Sequence, residues 1–132
     1  MHSTNYRNTL ITPAEDCLAT AKVPDRPGTV AALQYACLAD EPYSFTSDDV
    51  LSGVAADRAG VDDDSFAAFR SAYLSKGQPC FRASPLTKTH GWAVHADEEA
   101  RVALIDPKSP RFAELVADTG TTKVAAMRNK RV

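Results

Sequence analysis

The sequence has no C-x-x-C pair, and its three cysteines, Cys17, Cys37 and Cys80, are widely spaced and odd in number. That excludes a disulfide framework and a zinc ribbon and favours a reducing compartment. No run approaches the ~20 apolar residues needed to cross a bilayer. The opening His2-Ser3-Thr4-Asn5-Tyr6-Arg7 lacks the apolar stretch of a signal peptide. A soluble, cytoplasmic protein without membrane contact is expected. Neither G-x-x-x-x-G-K nor G-x-G-x-x-G occurs, so there is no glycine-rich phosphate loop, and there is no G-x-S-x-G elbow. An excess of positive charge is also missing. Fifteen Lys+Arg against seventeen Asp+Glu leave −2 and a pI near 5.9, which argues against a general nucleic-acid binder.

What is present suits one domain spanning residues 1–132, with 44% hydrophobic and 24% charged residues. Eight prolines and six glycines imply short elements. The charge is unevenly spread. Residues 1–66 hold four basic and eleven acidic side chains, and residues 67–132 hold eleven basic and six acidic ones. Such a gradient fits an anion-facing surface in the second half, or two halves that attract each other.

Thr9–Thr12 reads as a strand stopped by Pro13, suited to a sheet edge or a strand end. Thr29 can cap a helix carrying Val30, Leu33, Cys37 and Leu38 at helical spacing. Thr46 or Ser47 opens a second helix with Asp48 and Asp49 in its first turn, and Gly60 is its natural stop. A third helix follows Asp62-Asp63-Asp64, with Phe66, Phe69, Tyr73 and Leu74 on one stripe. From Cys80 the period changes. Cys80–Ser84 and Gly91–His95 alternate, and Val102–Ile105 is β-rich. Ser109-Pro110 opens a helix with Phe112, Leu115 and Val116 inward, and Thr121–Ala126 makes a last strand. The order β-α-α-α-β-β-β-α-β predicts an α+β domain, with an antiparallel or mixed sheet of about four strands and about four helices packed on one face. Its expected core is Phe66, Phe69, Tyr73, Phe81, Trp92, Val94, Val102, Leu104, Phe112 and Leu115.

No metal or cofactor is expected. His90 and His95 are five apart in an apparent strand and so point to opposite faces, and the acidic triplet lacks the glycine and spacing of a calcium loop. Two constellations carry more. If Cys80–Ser84 and Gly91–His95 pair as a hairpin across Pro85–His90, then Cys80, Arg82, Ser84 and His95 share one surface, with Lys88 on the connecting loop. Cys80 would then be a nucleophile activated by the Arg82 guanidinium, with His95 as base. The plainer alternative is an amphipathic hairpin with a polar outer face. Separately, Lys76, Arg82, Ser84, Lys88, Arg128, Lys130 and Arg131 could gather from the hairpin and the C-terminal segment into an anion site, with the helix start at Ser109 adding backbone donors. The plainer reading there is a solvated basic face. Three functions remain open: binding a small anionic ligand or acidic partner, a thiol-dependent enzyme using Cys80 and His95, and a structural or homodimeric module.

Several strings run through nearly the whole chain in a recognisable order. They are His2-Ser3-Thr4-Asn5-Tyr6, Glu15-Asp16-Cys17, Leu33-Gln34-Tyr35, Pro42-Tyr43 and Thr46-Ser47-Asp48-Asp49-Val50. Further along come Lys76-Gly77-Gln78-Pro79-Cys80 with Arg82 and Ser84-Pro85-Leu86, then Gly91-Trp92 with His95, and Ala126-Met127-Arg128-Asn129-Lys130-Arg131. Together they resemble a family of uncharacterised small bacterial proteins. The departures are Ala93 in place of glycine and Asn129 in place of serine. The resemblance implies a cytosolic bacterial protein of about this length, and no activity.

Overall fold

The computed structural model describes residues 2–130. Its elements are β1 (Thr9–Thr12), α1 (Val30–Asp40), α2 (Ser47–Arg58), α3 (Asp63–Leu74), α4 (Pro85–Lys88), β2 (Ala93–Ala96), β3 (Val102–Ile105), α5 (Pro110–Ala117) and β4 (Thr122–Ala125). A 3₁₀ turn, Phe81–Ala83, precedes α4. The strands form one mixed sheet in the order β3-β2-β1-β4, with β1 antiparallel to β2 and parallel to β4. This is a small α+β domain.

Local chemistry explains the helix starts. Thr29, Asp62 and Ser109 each accept a backbone N–H three residues on. Thr46 and Asp49 bond reciprocally at the head of α2, forming a capping box. β1 is an interior strand rather than an edge, because β2 and β4 flank it on both sides. Pro13 lies just past it, so its missing N–H costs the ladder nothing.

Cys80–Ser84 is not a strand, and the hairpin across Pro85–His90 is not formed. Cys80 caps the 3₁₀ turn, and Ser84 caps α4 with Pro85 at its first position. The Ser-Pro signature that opens α5 also operates here, and it overrides a five-residue alternation that has no partner strand to pair with. Lys88 therefore ends a helix instead of sitting in a loop.

Side chains alternate across the sheet as β2 predicts. Val94 and Ala96 join Ile11 and Val102 in the larger core, with Leu38 from α1, Val50 and Val54 from α2, Phe81, and Leu86 from α4. Ala93 joins Leu10, Ile105 and Leu115 in a smaller cluster on the opposite face, with α5 over it. α1 to α4 thus occupy one face and α5 the other. Phe66 and Phe69, expected inside, stay half-exposed and enter neither cluster, and Phe69 stacks on Tyr73.

The irregular segment before α1 is tied down at Gly91. Its φ is +76°, and a Cβ there would lie 2.1 Å from the Ala19 carbonyl oxygen, so only glycine fits. Ala21 N–H donates to the Gly91 carbonyl, Lys22 N–H to that of His90, and the Trp92 indole N–H to that of Lys22. Among the described residues no helix is long and apolar enough to cross a membrane.

Candidate functional site

Cys80 and His95 lie on opposite sides of the sheet. Cys80 packs with the α1–α4 layer, and His95 stands on the α5 face beside Leu10 and Ala103. The shared surface expected of them is not formed, because it required the hairpin that Pro85 replaces with a helix. The nucleophile–base pair loses its geometry with it.

Around Cys80 the partners are local. Its sulfur accepts the Arg82 N–H at 3.4 Å and lies 3.3 Å from the Tyr6 hydroxyl. That contact with Cys80, and then burial, push the Tyr6 phenol above its ordinary value, while Arg82 opposes them. Arg82 itself turns toward β4: its Nε donates to the Ala125 carbonyl, and its own carbonyl accepts the Met127 N–H. Ser84 is buried, donating to Gln34 Oε1 at 2.5 Å and accepting the Leu86 N–H. Lys76 is exposed just beyond α3. Ser109 opens α5 on the other layer and contributes nothing to a basic cluster.

The N-terminal segment docks on the head of α2. Asp48 is 3% exposed and accepts from Thr4 N–H, Thr4 Oγ1 and Ser3 Oγ, while its own N–H donates to Asn5 Oδ1. This carboxylate completes an anchor at the positive end of a helix. It accounts for much of the Ser3-Thr4-Asn5 string as folding chemistry.

The chain after β4 folds back as far as Lys130, held chiefly by a residue between β1 and α1. The Asp16 carboxylate accepts the N–H groups of Asn129 and Lys130 and the Asn129 side-chain amide. These bonds, the Asn129 N–H foremost, hold its carboxyl below the usual range. Asn129 also donates to the Lys88 carbonyl at 2.8 Å, which joins the segment to the end of α4. Lys88 and Lys130 are thereby brought to one cavity of about 360 Å³, with Asp16, Cys17, Leu18, Thr89 and Asn129. Neither ammonium pairs with a described carboxylate, and Leu18 is fully exposed. Arg128 stands 4.0 Å from Glu15, and Arg131 lies outside the described residues.

On the α5 face His95 is 7% exposed, with Nδ1 2.7 Å from the Tyr43 hydroxyl. Burial first, then Arg111, push its pKa below the ordinary value, against the pull of Asp97 and Asp118. Arg111 is itself raised, most by the Tyr43 hydroxyl and then by Glu114. Sequence reasoning named His95 but missed Tyr43 and Arg111 as its neighbours. No spacing signals them, since Tyr43 is 52 residues away and approaches from a loop with φ +60°. Among the described residues no three His, Cys, Asp or Glu converge on a metal position.

A family model matches residues 1–132 from end to end. The chain belongs to a family of unknown function, DUF6157. No curated protein and no solved structure matches it. Membership therefore carries no substrate or reaction to the residues above.

Proposed function

We propose that the protein binds a small anion, or the anionic end of a larger partner, in the groove between α4 and the C-terminal segment. The observation that carries this reading is the Asp16 anchor, which brings Lys130 and Lys88 to one cavity. Both oxygens of Asp16 accept N–H groups of the tail, and no salt bridge joins either ammonium to a described carboxylate. Two cations without a carboxylate partner among the described residues, beside an apolar lip formed by Leu18, suit phosphate or carboxylate attached to a nonpolar body. Of the basic residues singled out in the sequence, Lys88 and Lys130 carry the site and Arg128 lies at its margin. Arg82 and Ser84 are engaged by β4 and Gln34, and Lys76 does not line the groove.

The test is titration with inorganic phosphate and with a short alkyl phosphate, followed through the amide signals of Lys88, Thr89, Asn129 and Lys130. Saturable shifts are expected, tighter for the alkyl phosphate. Lys88→Gln with Lys130→Gln should weaken binding about tenfold or more, and the loss should be larger at low salt. Unchanged binding in the double variant, or no saturation in the parent, overturns the reading.

A further inference from the structure

We propose that the cavity beside His95 is a second binding site, one that takes an amino-acid-type zwitterion. It shares no lining residue with the α4–tail groove, so the two sites stand or fall separately. The first observation is the imidazole itself. His95 is 7% exposed, and its Nε2 bonds to no described residue. No fully buried side-chain nitrogen or oxygen among the described residues lacks a partner, so Nε2 opens onto the cavity that His95 lines. A ring nitrogen that opens onto a cavity without a protein partner is available to a ligand that enters it.

The Tyr43 hydroxyl lies 2.7 Å from Nδ1, and when it donates that bond the ring proton sits on Nε2, facing the cavity. In that tautomer the Nε2–H, with the Arg111 guanidinium on the same lining, offers the N–H donors that a carboxylate requires.

The rest of the lining has the opposite sign. Asp97, Glu98, Glu99, Glu114 and Asp118 face a single guanidinium across about 330 Å³. Several of these carboxylates are already engaged. Asp118 accepts from Gly120 N–H and Thr121 Oγ1, Asp97 from two backbone N–H groups, and Glu114 meets Arg111. The Glu98 carboxylate has no partner among the described residues, which leaves it for a cation. A simple anion would meet excess negative charge, and a simple cation would leave the His95 ring nitrogen and the Arg111 N–H groups beyond the Glu114 contact to water. A metal ion lacks converging ligands. A molecule bearing both an ammonium and a carboxylate satisfies both ends, and the volume is of amino-acid size.

The experiment follows the His95 ring nitrogens of the full chain by NMR during titration with lysine and with its two halves, acetate and butylammonium. Lysine should move the Nε2 signal saturably and bind about tenfold tighter than either half. Arg111→Gln should reduce lysine to the level of butylammonium, and Glu98→Gln should weaken it about threefold or more. Both side chains are exposed, so both variants are expected to fold; Glu98→Gln reads the cation end without touching Tyr43. Acetate binding as tightly as lysine, a static Nε2 signal, or lysine affinity unmoved in both variants overturns the proposal.

Discussion

On the α1–α4 face of the sheet, Phe81, Leu86, Leu38 and Val94 are each at most 1% exposed, and helices close over them from four directions. On the α5 face, Leu10, Ala93, Ile105 and Leu115 are covered by one eight-residue helix, with a cavity left open beside His95. The first face carries most of the buried apolar area and therefore most of the hydrophobic stabilisation. The second buries less and keeps a polar ring nitrogen within reach of solvent.

Substitutions can break that contrast. Phe81→Ala removes a large, fully enclosed ring from the thick face and should cost about 3–5 kcal/mol, measured by urea unfolding. A cost below that of Leu115→Ala would mean the layers are not as unequal as described. Leu115→Ala on the thin face should cost about 2–3 kcal/mol, at the low end because a short surface helix can settle into the space. It should also shift the His95 ring signals, which Phe81→Ala in its folded fraction should leave in place.

Tyr43→Phe removes the hydrogen bond to Nδ1 and should cost about 1 kcal/mol. The pH dependence tests the same residue. Because His95 is held below its ordinary 6.5, the unfolded chain takes up the proton first as pH falls through that value. Stability should decline from there downward until the lower folded value is passed. His95→Gln should flatten this slope, and a slope that survives the substitution would place its origin elsewhere.

The smallest effect concerns the tail. Asp16 is held below the usual carboxylate range, so its anchor persists as pH falls through that range and is lost only on reaching the lower folded value. Asp16→Asn should free the Asn129 and Lys130 amides to exchange faster while global unfolding stays nearly unchanged. Amides that remain protected in that variant would show that the contact with Lys88 alone holds the segment.

Much of this was legible from residue types. The caps at Thr29, Thr46 and Ser109 follow from side chains that satisfy the first N–H groups of a helix, a local matter. The alternation of Val94 against His95 likewise needs only the pleat of a strand. Cys80–Ser84 misled because alternation over five residues is weak where a serine-proline pair competes for the same chain. The sequence alone thus determined the family and the α+β class, and most helix starts, the last because each depends on neighbours within a few residues. Only the tertiary structure decided that Cys80 and His95 are parted by the sheet, that Asp16 brings Lys130 to Lys88, and that Tyr43 and Arg111 attend His95. Those relations join residues tens of positions apart, and they arise from how layers pack, which no local spacing encodes.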